Sequence, residues 1–172
     1  MQDVYRNGQF EEDQWQLTDV ETDDSIVDSI IWTKSQLIGD PSLLSRTETN
    51  HGLLIEAGDH LDDVADLLPN LALVAVNFPK FNDGRGFSIA RLLRERYGYT
   101  GPLRAVGDVL LDLIPHMERV GFTEFTVTNE PTRRALKARQ LPEMPVFYQP
   151  AWSGETQEAP VPAGRPWLRR AV

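Results

Sequence analysis

From Ile30 onward, short apolar runs alternate with segments whose apolar residues recur at helical spacing. "SIIWTK" reads as a strand, and "DPSLLSR" as a helix opened by Asp40 with Pro41 in its first turn. "GLLIEAG" is a buried-strand run. In "DHLDDVADLLPN", Asp59 stands at a helix N-cap, and Leu61, Val64, Ala65 and Leu68 recur at helical spacing. "LALVAVNF" is apolar at almost every position, as an interior parallel strand is. The helix after it puts Ile89, Ala90, Leu93 and Tyr97 on one face and stops at Gly98. "PLRAVG" and "TEFTV" read as further strands, and "PHMERVG" and "EPTRRALKARQL" as helices with proline near their starts.

The alternation predicts an α/β fold of repeated βα units on a mainly parallel sheet with right-handed crossovers. It fits an incomplete (β/α) barrel or a doubly wound sheet, with the incomplete barrel preferred. Before Ile30, "VYRNGQF" places Asn7-Gly8 between two short β-type runs and predicts a type I′ hairpin. Residues 1–28 thus form an acidic N-terminal segment and 29–149 the α/β domain. Residues 150–172, rich in Pro and Gly, form an extended tail whose Trp152 and Trp167 suggest docking.

Charge changes this picture in one respect. The net charge is −9, yet the first 28 residues hold nine acidic residues against Arg6 alone. The rest is nearly neutral, and the stretch from Lys80 to Arg104 carries six basic residues against Asp83 and Glu95. A local positive patch steers anions even on an acidic protein. The 172 residues contain no cysteine, so the sequence has no thiolate nucleophile or disulfide. No apolar run approaches the ~20 residues of a membrane span. The polar start lacks the features of a signal peptide, so a cytoplasmic, non-membrane protein is expected. His51, His60 and His116 are too scattered for a metal motif, and no cofactor fingerprint or Walker A loop occurs.

Ligands of parallel α/β sheets bind beyond the carboxyl ends of the strands. Those ends carry Glu56, the loop Lys80–Gly86, Asp108 and Thr128–Asn129–Glu130, which are expected to share one rim. In the loop, Gly84 and Gly86 allow close backbone approach, and a helix start supplies N–H groups and partial positive charge. Lys80, Arg85 and Ser88 add charge and a hydroxyl. This suits a small anion. Equally, Asn-Asp-Gly is turn chemistry and Asp83 is a cap. Asp108 and Glu56 are candidate proton-moving carboxylates. Arg133, Arg134 and Lys137 lie together on the last helix. Without interleaved aromatics they suggest a protein-partner or solvated face and not a nucleic-acid site.

Taken together, "FPKFNDGRGFSIARLLRERYG", "LRAVGDVL" and the "GF" of Gly121-Phe122 resemble a bacterial family of unknown function, number 934 among such domains. The resemblance covers about residues 52–149. Members of the family are often labelled oxidoreductases of sulfite reduction because their genes lie beside those for assimilatory sulfite reductase. Its motif positions map to Phe78–Phe81, Asp83–Gly86, Ser88, Arg91, Arg94, Arg104, Gly107 and Asp108. Members often carry a cysteine before the "GF", where this chain has Val120, which removes a thiol role there. The resemblance implies an accessory protein of sulfite or sulfate reduction acting with sulfite reductase or another sulfur-assimilation enzyme. A small oxidoreductase with a bound nicotinamide or similar cofactor is the alternative. A passive anion-binding sensor is the third.

Overall fold

The computed structural model describes residues 3–17, 28–45, 50–142 and 152. Eight strands form one curled sheet, a half-barrel, in the order β2-β1-β8-β7-β6-β5-β4-β3. The strands are β1 (Asp3–Arg6), β2 (Gln9–Glu12), β3 (Gln16–Leu17), β4 (Ser29–Thr33), β5 (Asn50–Ile55), β6 (Leu73–Phe78), β7 (Leu103–Gly107) and β8 (Glu124–Phe125). The α-helices are α1 (Lys34–Gly39), α2 (Arg85–Glu95), α3 (Ile114–Arg119) and α4 (Glu130–Lys137).

The sheet is mixed, which corrects the mainly parallel sheet expected above. Pairs from β3 to β8 run parallel, but β1 pairs antiparallel with both β2 and β8. The N-terminal hairpin thus joins the main sheet at one edge. Its turn is the one that Asn7-Gly8 predicts, with both residues at positive φ (51° and 80°). From β3 to β8 spatial order follows chain order, with no reversal of the kind that defines a doubly wound sheet.

Because strand side chains alternate between faces, the sheet has two cores. Trp32, Leu53, Ile55, Val76, Phe78 and Phe125 face outward into the large core shared with Leu93 and Met117 from the helices. Ile31, Leu54, Leu73 and Ala75 face inward and pack with Trp15 and Val106.

Two expected helices are shorter and tighter than their periodicity predicts. Residues 59–70 form two separate 3₁₀ turns, Leu61–Val64 and Leu68–Asn70, the second with Pro69 in its first turn. Leu61, Val64 and Leu68 are nevertheless buried. Asp59 is not the cap; its carboxylate accepts the Glu56 N–H at 2.7 Å. "DPSLLSR" likewise yields a 3₁₀ helix, Pro41–Ser45. The sequence reading missed α1, which a reciprocal capping box of Thr33 and Gln36 opens directly after β4. The tail lies outside the described residues except for Trp152. Its N–H donates to the Arg119 carbonyl at 3.0 Å, and its ring lies 4.9 Å from the Arg94 guanidinium.

Candidate functional site

The hairpin closes one edge of the half-barrel and β3 the other, so the segment between them, Asp13–Trp15, must cross the inner face. Two contacts hold it there. Trp15 covers Gly52, where a Cβ would stand 3.0 Å from the indole. Asp13 receives two hydrogen bonds from Arg104 Nη1, at 3.0 and 2.9 Å. Arg104 is only 2% exposed, and its Nε and Nη2 donate to Glu124 Oε2 at 2.9 and 2.8 Å. Arg6 stands 3.5 Å from the other oxygen of Glu124. This ion network and Trp15 fill the end of the lumen nearest the strand N-termini.

Among the described residues the opposite end is open. There Glu56, Asn77, Val106, Gly107, Thr126 and Thr128 gather around a cavity of about 350 Å³ whose floor is Leu54, Ala75 and Arg104. Asn77 Nδ2 donates to Glu56 Oε2 at 2.8 Å. Only a glycine at 107 leaves room for that amide. At φ +91°, a Cβ on residue 107 would stand 2.5 Å from Asn77 Oδ1 and closer still to the Phe78 carbonyl oxygen. Leu54 and Glu56 also border a second cavity of about 600 Å³, walled by Thr33, Lys34, Ile38 and Asp59. The two cavities meet on these residues and form one trough along the strand ends. The Lys34 ammonium is held by Asp63 at 2.7 Å and Asp59 at 3.6 Å.

The loop after β6 lies beside the trough and is internally braced. Asp108 accepts the Phe81 N–H at 2.9 Å, while its own N–H donates to the Phe78 carbonyl at 2.8 Å. The Asp83 N–H donates to the Lys80 carbonyl at 3.0 Å. Asp83 accepts the Arg85 backbone N–H at 3.1 Å and the Arg85 guanidinium at 2.6–3.2 Å. These hydrogen bonds, the guanidinium's above all, lower the Asp83 carboxyl to about 2. The Asp83 carboxylate thus lies at the α2 start, bound to the Arg85 N–H and guanidinium. Lys80 and Ser88 are exposed beside it.

The glycines have different reasons from those expected. Gly84 has an ordinary φ of −74°. Gly86 is required by packing, because a Cβ there would enter the Phe78 ring at 2.5 Å. Phe81 stands 55% exposed on this braced backbone.

The basic cluster on α4 is divided. Arg133 pairs with Asp3 at 2.6–2.8 Å, donates to the Val127 carbonyl at 3.0 Å and lies 4.7 Å from the Phe10 ring, so it tethers the hairpin. Lys137 approaches the same ring at 5.6 Å, while Arg134 is exposed. Arg94, 5% exposed, donates to the carbonyls of Tyr99, Gly101 and Gly121 at 2.6–3.2 Å and so holds the α2–β7 turn against α3.

The structure thus brings Glu56, Gly107 and Thr128 to one cavity, with Asp108 linking the rim to the loop, and it leaves α4 elsewhere. Sequence reasoning missed Asn77, Trp15 and the role of Arg104. The signal for two of them was visible: Asn77 and Arg104 are polar interruptions of otherwise apolar strands. Among the described residues, no group of three or more His, Cys, Asp or Glu is placed to hold a metal ion. Nor is any described helix long and apolar enough to cross a membrane.

The model of a family of bacterial proteins of unknown function, DUF934, matches residues 52–159. That span begins in β5 and includes the trough residues from Glu56 to Thr128, the braced loop and α4. No curated protein matches the chain.

Proposed function

The chain belongs to the bacterial DUF934 family, and from that premise we propose that it is an accessory protein of assimilatory sulfite reduction, acting in the cytoplasm through a partner enzyme. The observation that carries the reading is Phe81. An aromatic ring left 55% exposed loses the benefit of burial, and here the backbone beneath it is held by Asp108 and Asp83. A rigid exposed aromatic flanked by Lys80 and Arg85 is the composition of a protein-binding hot spot. Preorganisation lowers the ordering cost that a flexible loop would incur on docking. The sulfite assignment rests on the family resemblance, and sulfite reductase is the partner it names.

The braced loop favours docking over a free anion site, since Arg85 is already matched by Asp83. Lys80 remains available to an acidic group on the partner. Asp108 serves by fixing the Phe81 N–H, so its carboxylate sets the loop's shape.

Growth of a deletion strain on different sulfur sources tests the proposal. The strain is expected to fail on sulfate and on sulfite and to grow on sulfide or cysteine. The wild-type gene should restore growth, and a Phe81→Asp allele should not. Normal growth on all four sources, or failure that sulfide does not relieve, would refute the sulfite assignment. Full rescue by Phe81→Asp would refute the docking role of the loop.

A further inference from the structure

We propose that the trough on the inner face of the half-barrel is a binding site for a small organic cation, with an apolar body seated in the cavity and an amidinium, guanidinium or ammonium group against Glu56. A closed (β/α) barrel fills its lumen with layers of side chains. Among the described residues only one end of this half-barrel is filled, by Trp15 and the Arg104 network. At the other end, small residues leave space: Ala75 and Gly107 line a cavity of about 350 Å³ between Trp15, Leu54 and Val106. That volume falls in the range of small-molecule sites, which combine mostly apolar walls with a few placed polar groups.

The sign of the ligand's charge follows from the lining. The charged residues around the cavity are Asp13, Arg104 and Glu56. Asp13 and Arg104 satisfy each other at 2.9 Å. Glu56 has no cationic partner among the described residues, because the nearby Lys34 is taken by Asp59 and Asp63. Asn77 donates to Oε2 of Glu56, and no described donor reaches Oε1. Gly107 leaves the room that the Asn77 amide occupies, and the Asn77 hydrogen bond orients the carboxylate. Glu56 is exposed at the mouth of the cavity, so an anion entering here would meet its negative charge, whereas a planar cation would gain a charge-assisted hydrogen bond. Thr126 and Thr128 offer hydroxyls on the opposite wall. The site is separate from Phe81, whose backbone is turned toward Asp108.

Benzamidinium, benzoate and benzyl alcohol share one ring and differ in charge, so they are the probes. Each is titrated into the full-length protein while backbone amide shifts are followed by NMR. Benzamidinium should produce saturable shifts at Leu54, Glu56, Asn77, Gly107 and Thr128. Benzyl alcohol should bind more weakly, and benzoate more weakly still, by about tenfold or more relative to benzamidinium. Glu56→Gln keeps the shape of the site, and it should reduce the benzamidinium affinity by about tenfold and abolish the preference for the cation. Val106→Trp, which fills the cavity, should abolish binding of all three. Equal or tighter binding of benzoate would overturn the proposal. So would an unchanged preference in Glu56→Gln, or shifts that do not saturate at these residues.

Discussion

Replacing Arg104 with methionine removes the cation that bridges two buried carboxylates, Asp13 and Glu124. The side chains of Arg104, Asp13 and Glu124 are 2%, 5% and 6% exposed, so solvent cannot stand in for the guanidinium. Breaking a buried ion pair by deleting one partner costs about 3–5 kcal/mol, because the remaining charge stays desolvated. Arg6 stands 3.5 Å from Glu124 and offsets part of that loss, which puts the expected cost near 3 kcal/mol. For a chain of this length each kcal/mol corresponds to roughly 2–4 °C, so Tm should fall by roughly 6–12 °C. Urea denaturation gives the free energy, and calorimetry gives Tm. The companion variant, with Asp13→Leu and Glu124→Leu added to Arg104→Met, exchanges the network for apolar groups and should recover most of the loss. A cost below about 1 kcal/mol for Arg104→Met would mean that the three groups are solvated and that Asp13–Trp15 does not seal the lumen.

Gly107→Ala should cost about 1–3 kcal/mol, because φ +91° is strained for alanine and the new Cβ collides with Asn77 and the Phe78 carbonyl. It should also weaken benzamidinium binding by releasing the Asn77 amide from Glu56, as a titration of the variant would show. Asp83 has its carboxyl lowered to about 2 from an ordinary value of 3.8. A depressed acid contributes stability that is present above the unfolded value and lost as pH falls through the folded one. Loosening at the α2 start is therefore expected between about pH 4 and 2. Carboxyl-carbon NMR should place the Asp83 midpoint near 2 and return it toward 3.8 in Arg85→Ala. Phe81→Ala removes an exposed ring, so stability should change by less than about 0.5 kcal/mol in urea melts, while co-purification of the partner enzyme is lost.

Strands β4 to β8 were legible because apolar runs such as "LALVAVNF" leave few alternatives, and Asn7-Gly8 fixed the hairpin turn by backbone chemistry, whereas the two-residue β3 was not. The sheet's edge was not legible, since antiparallel pairing of β1 with β8 joins residues 120 positions apart, Tyr5 to Phe125. The same limit hid Arg104. Its strand position marks it as unusual, but its partners Asp13 and Glu124 are remote in sequence and come together only through the crossing segment. Residues 59–70 show the opposite failure. There the apolar spacing was right that Leu61, Val64 and Leu68 are buried, yet the segment forms two short 3₁₀ turns, with Pro69 in the second, where one helix was expected. At the loop, residue types alone allowed either an anion site or a cap. The structure makes Gly84 the N-cap of α2 and brings the Asp83 carboxylate to the Arg85 N–H at 3.1 Å, a contact that the turn residues do not specify.

The accessory role is tested most directly by sulfite-dependent sulfide formation in extracts of the deletion strain, with purified protein added back. The extract should show deficient activity, which the wild-type protein restores in proportion to its concentration and Phe81→Ala does not. Undiminished activity in the unsupplemented extract, or equal restoration by both proteins, would contradict the account.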